Sequence, residues 1–78
     1  MDIKILGTGC PKCQALERLA HEAVAELGMT ASFEKVTDPG EIASWGVMAT
    51  PALVINDEVV VVGRVPSKQT IVGLLQPS

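Results

Sequence analysis

Gly9-Cys10-Pro11-Lys12-Cys13 decides how the rest of the chain is read. It holds the only two cysteines of the 78 residues, three positions apart. A short apolar run at 3–6 precedes it and an amphipathic stretch at 16–27 follows it, so the pair sits where a strand hands over to a helix. Pro11 suits the first position of that helix, where a missing N–H costs nothing. Leu16, Leu19, Ala20, Ala23, Val24 and Leu27 recur at the spacing of one continuous apolar stripe. Glu17, Arg18, His21, Glu22 and Glu26 fill the other side. Gly28 predicts a left-handed stop, with Met29 closing a hydrophobic contact behind it.

The run at 3–6 has few polar positions and reads as a central strand covered on both faces. Gly7-Thr8-Gly9 is a turn. It opens like a dinucleotide fingerprint, but Lys12 stands where that motif needs glycine, so the motif is rejected. Residues 31–36 form a second strand, whose Ser32, Glu34 and Lys35 suit an edge. A long helix between two strands favours a parallel crossover. Asp38-Pro39-Gly40-Glu41 starts a short helix, with Asp38 as its cap, and Gly46 ends it. Ile42 and Trp45 share one face of that helix. Residues 47–50 lead irregularly into Pro51. Strands at 52–55 and 58–62 are joined by Asn56-Asp57, which tolerates the left-handed conformations of a two-residue hairpin turn. After a loop at 63–66, Ser67 caps a last helix with Ile71, Leu74 and Leu75 facing inward; Gly73 weakens it and Pro77 ends it. The order is βαβαββα, in a single domain spanning 1–78.

Composition narrows the function. At 47% hydrophobic and 19% charged residues, the chain builds a core, a modest one for its length. Six Lys and Arg against nine Asp and Glu give a net charge of -3. With no basic cluster, nucleic acid is not an expected partner. Two cysteines do not make a secreted disulfide scaffold. Met1-Asp2-Ile3-Lys4 does not open like a signal peptide, and the longest apolar runs are far short of a membrane span. The expectation is a soluble, cytoplasmic, monomeric domain. In that reducing compartment a CxxC pair suits catalysis or metal binding better than a permanent staple.

The chemistry follows from the helix end. Its unpaired N–H groups and partial positive charge favour an anion at the cap position, which is Cys10. The Cys10 thiol is therefore expected below the ordinary value of about 8.5, with the Lys12 cation pushing the same way. Cys13 lies deeper on the stripe side and is expected to be less acidic. Cys10 then attacks a target disulfide, and Cys13 attacks Cys10 to release the reduced product, with no metal or organic cofactor. Metal capture is the rival reading. Tetrahedral zinc needs two ligands beyond the cysteines. The single histidine, His21, is on the polar side of the helix and is expected to be solvated beside Glu17. Cu(I) needs only two thiolates and stays open. Heavy-metal-binding domains of ferredoxin-like fold, however, place a hairpin straight after the first helix, which this chain does not. A third reading is a redox-sensing adaptor whose disulfide switches binding.

With those residues in view, the chain resembles the thioredoxin superfamily, and more closely its short, glutaredoxin-sized "small redox-active disulfide proteins" of archaea and bacteria. Three stretches carry the resemblance: residues 7–13; Trp45-Gly46-Val47 with Thr50-Pro51; and Gly63-Arg64-Val65 before Ser67-Lys68. It implies a four-stranded mixed sheet with helices on both faces, protein disulfides as substrates and a thioredoxin-reductase-like flavin enzyme as electron donor. It also implies that Pro51 is a cis-proline beside the sulfurs. Thr50, Pro51 and Ala49 would then meet an extended substrate segment. Pro11 and Lys12, between the cysteines, would tune their acidity. Four positions depart from typical thioredoxins. Gly9 replaces a Trp, Pro11-Lys12 replaces Gly-Pro, and Lys4, six residues before Cys10, stands where a buried acid would manage the proton of Cys13. No aromatic residue lies within the motif, as glutaredoxins usually have. Trp45 is expected to pack on the sheet, Met48 to give the substrate groove an apolar rim, and Arg64 to be a solvated loop residue.

Overall fold

The computed structural model describes residues 1–76. Its elements are β1 (Asp2–Leu6), α1 (Pro11–Leu27), β2 (Ser32–Val36), α2 (Pro39–Ser44), β3 (Ala52–Ile55), β4 (Glu58–Val62) and α3 (Lys68–Leu75). The strands form one sheet in the order β2-β1-β3-β4. β1 is parallel to β2 and antiparallel to β3, and β3 is antiparallel to β4. β1 and β3 are thus the inner strands. Pro77 lies outside the described residues.

Alternation along the inner strands divides the core between the two faces of the sheet. Ile3 and Ile5 of β1, with Leu53 and Ile55 of β3, pack against Leu16, Ala20, Ala23 and Val24 of α1 and Ile71 and Leu75 of α3. Leu6, Ala52 and Val54 point the other way, onto Ile42 and Val47, with Trp45 packed against them. Lys4 belongs to that second face. Its ammonium lies 5.7 Å from the centre of the Trp45 ring and 3.7 Å from an Asp57 carboxylate oxygen.

Local chemistry sets the element ends. Asp38 accepts the Glu41 N–H at 3.0 Å and Ser67 accepts the Thr70 N–H at 3.2 Å, so both capped starts form. Gly28 stops α1 at φ 65°, and the Met29 N–H returns to the Val24 carbonyl at 3.1 Å. Asn56 and Asp57, at φ 50° and 65°, make the tight hairpin turn. The ladder slips there: Leu53 faces Val61 and Val54 faces Val59, leaving Val60 as a bulge.

One inward residue is corrected. Leu74 is 39% exposed. The buried side of α3 is centred between Ile71, Val72 and Leu75, and at 100° per residue Leu74 falls about a quarter-turn or more away from that centre.

Candidate active site

Cys10 is the N-cap of α1, in extended backbone at φ -67° and ψ 165°. Pro11 follows as the first helical residue, and the Cys10 carbonyl accepts the Gln14 N–H at 3.0 Å. The Gln14 side-chain amide donates back to the Gly9 carbonyl at 3.1 Å, tying the turn to the helix. The Cys10 sulfur accepts the Cys13 backbone N–H at 3.3 Å. The two sulfurs are 2.7 Å apart, both cysteines being free thiols.

The pair is asymmetric. Cys10 is partly exposed, whereas Cys13 is 5% exposed on the side of α1 that meets the sheet. The hydrogen bond from the Cys13 thiol, then the one from its backbone N–H, holds the Cys10 thiol below its ordinary range. Burial, then that same thiol contact, pushes Cys13 above it. The expected direction for Cys10 is found, but one part of its route differs. Lys12 lowers the Cys10 thiol through its backbone N–H. At the first turn of a helix the amides point at the cap, while a long side chain leaves along the surface.

Two glycines shape the surroundings, and sequence reasoning gave neither this role. Gly7 is buried under Cys13: a Cβ on Gly7 would run into the Cys13 sulfur, and the same position is 4.0 Å from the Pro51 Cα. The turn at 7–9 must therefore begin with glycine for the sulfur to sit where it does. Gly63, at φ 73°, donates its N–H to the Pro51 carbonyl at 2.8 Å. A Cβ there would come 3.0 Å from that of Ala49. The end of β4 thus backs the loop leading into β3.

That loop carries the remaining expected residues. The Thr50–Pro51 peptide is cis. Pro51 is buried, while Met48, Ala49 and Thr50 are exposed, Met48 at 97%. Thr8, Ile42, Val47, Met48, Ala49 and Thr50 share a shallow groove of about 220 Å³. Trp45 packs against the sheet, as its spacing with Ile42 predicts, and Arg64 is exposed. His21 is exposed, stacks on Phe33 with ring centres 3.7 Å apart, and lies 3.9 Å from Glu17. Beside Cys13, sequence reasoning missed a second pocket that reaches Glu17, Lys35 and Thr37. The available signal was the four-residue spacing of Cys13 and Glu17 on one helix.

A free dithiol at the head of the helix that follows a central strand, with a proline loop beside it, is the layout of a thiol–disulfide oxidoreductase. Comparison with known proteins agrees. Residues 1–76 match the family model described as a thioredoxin domain. The chain is 47% identical over 75 residues to a thioredoxin of Methanothermobacter thermautotrophicus, an alignment covering 96% of this chain and 97% of that protein. It is 46% identical over 69 residues to a thioredoxin of Methanocaldococcus jannaschii, covering 88% and 79%. A second thioredoxin of that organism is 32% identical over 70 residues, covering 86% and 81%. The chain belongs to the thioredoxin family.

Proposed function

We propose that this domain, acting alone as one unit over 1–78, reduces protein disulfides through Cys10 as nucleophile and Cys13 as resolving thiol. The Cys10 thiolate attacks one sulfur of the target disulfide. A bond forms between Cys10 and that sulfur, the target bond breaks, and the other target sulfur leaves as a thiolate that takes up a proton. Cys13 gives up its proton and attacks the Cys10 sulfur. The Cys10–Cys13 bond forms and the second target sulfur departs. The target gains two electrons and the pair loses two, which a thioredoxin-reductase-like enzyme restores. No metal or organic cofactor enters these steps.

The observation that carries this reading is the opposite placement of two touching sulfurs: one at the open helix end, accepting an N–H, the other buried. The exposed loop at 48–50 supports a docking role for Ala49, Thr50 and Pro51 beside them. The zinc form of the carrier reading has less support. Among the described residues no group of three or more His, Cys, Asp or Glu side chains is gathered for a metal. His21 engages Phe33 and Glu17 instead. Among the described residues no helix is long and apolar enough to cross a membrane, which is compatible with the reducing cytoplasm we propose as its compartment.

Alkylation against pH tests the assignment. Iodoacetamide captures the thiolate, so a lowered pKa keeps the rate high as pH falls and a raised one delays its rise. Cys10 should show a midpoint below about 8.5 and Cys13, measured in Cys10→Ser, a midpoint above it. Cys13→Ser should trap mixed disulfides with protein targets, and Cys10→Ser should exchange none. Equal midpoints with no trapping would remove the reading.

A further inference from the structure

The resolving step needs a destination for the Cys13 proton, and burial makes that proton hard to lose. The floor beneath the pair offers no acceptor. Gly7 presses against the sulfur without a side chain. Lys4, the ionisable residue of β1 nearest the turn, points to the opposite face, toward Trp45 and Asp57.

Beyond that floor, Cys13 borders a pocket of about 80 Å³ between the first turns of α1 and the ends of β1 and β2. The polar side chains lining it are those of Gln14, Glu17, Lys35 and Thr37. Holding one water takes about 10–15 Å³ and two to four polar partners, so the pocket admits a short water chain. Glu17 is one helical turn beyond Cys13 and therefore on its side of α1. Its side chain is 24% exposed, its carboxylate pairs with Lys35 Nζ on β2 at 3.3 Å, and His21 Nε2 lies 3.9 Å away. β1 contributes only Ile5 to the lining, and the turn after it Gly7 and Gly9. The charged or titratable groups facing Glu17 are thus Cys13 and His21 from its own helix and Lys35 from β2, with Cys10 beyond Cys13.

We infer that Glu17 is the proton acceptor for Cys13, reached through water in this pocket, and that Lys35 holds its carboxylate in place. The inference rests on Cys13 being the resolving thiol. In the mixed disulfide the Cys13 S–H proton passes through water to a Glu17 oxygen. The Cys13 electron pair then forms the bond to Cys10, and the bond between Cys10 and the target breaks. The target thiolate leaves, and the Glu17 proton returns to solvent through the same pocket.

A single-turnover measurement separates this from the functional reading. Reaction of the full-length reduced chain with one equivalent of 5,5′-dithiobis(2-nitrobenzoate) has two phases. Capture by Cys10 releases one thionitrobenzoate, and attack by Cys13 releases the second. Glu17→Gln should leave the first phase within about twofold and slow the second about a hundredfold, the lower end of what a positioned base contributes. Its second phase should also become more steeply pH-dependent, recovering only where Cys13 ionises by itself. Glu17→Asp should recover part of the rate. In Glu17→Ala, added acetate should accelerate the second phase in proportion to its concentration, a response that no purely structural role of the Glu17–Lys35 pair predicts. A folded Glu17→Gln protein with the wild-type second phase and pH profile would overturn the assignment while leaving the cysteine roles intact. No second release from the wild-type chain would sink both.

Discussion

The two faces of the sheet are built differently. On one, the 17-residue α1 and the 8-residue α3 lie over Ile3, Ile5, Leu53 and Ile55. On the other, the 6-residue α2 and the segment through Trp45 and Val47 cover Leu6, Ala52 and Val54. The cysteines are mounted on the heavily packed side, at the head of α1. The proposed docking loop is mounted on the lightly packed side, where Met48 stands in solvent. A reaction whose sulfurs must meet within ångströms gains from the stiffer support, and a surface that accepts varied targets tolerates the thinner one.

That contrast gives measurable differences. Leu16→Ala, at a fully buried position between α1 and the sheet, should cost about 2–5 kcal/mol, with Ile42→Ala under α2 nearer the low end of that range. Urea denaturation of the two variants checks it, and an Ile42→Ala loss as large as that of Leu16→Ala would dissolve the distinction. Gly7→Ala acts at the seam between the faces. Its methyl displaces the Cys13 sulfur or the backbone over Pro51, for a loss of about 1–3 kcal/mol. The same change should slow closure of the Cys10–Cys13 bond, followed by alkylation of residual thiols under mild oxidant. The smallest effect belongs to the loop. Met48→Ser should alter stability by no more than about 0.5 kcal/mol, because that side chain buries almost nothing. It should slow reduction of a protein disulfide such as insulin more than that of a small-molecule disulfide. Equal slowing would detach the loop from docking.

What the sequence made legible was local. The stripe on α1, the caps at Asp38 and Ser67, the stop at Gly28 and the Asn56-Asp57 turn all rest on residues within a few positions of one another. Each is found as read. Cys10 at a helix cap belongs to the same class, since Pro11 fixes where the helix begins. What stayed hidden depends on contacts distant in sequence. Leu74 is as apolar as Leu75, and only the seating of α3 on α1 and the sheet decides which of them is covered. Gly7 reads as a flexible turn residue until the packing of α1 on β1 brings the Cys13 sulfur over it. The parallel pairing of β2 with β1 was expected from the crossover, but that it brings Lys35 to Glu17 depends on how α1 is seated over the two strands. Lys12 differs in another way: its backbone N–H, fixed by the first turn of α1, lowers the Cys10 thiol.

The slipped register in the outer hairpin bears on how this molecule coexists with its own copies. β4 is Glu58 followed by four valines, and it lies at the margin of the sheet. An uninterrupted margin of that composition would invite a second chain to zip alongside. With Val60 out of step, the free N–H and C=O groups no longer form an even row, and the strand bends away from any straight partner. One supernumerary residue thus breaks up a valine-rich border that would otherwise be a ready template for fibril growth.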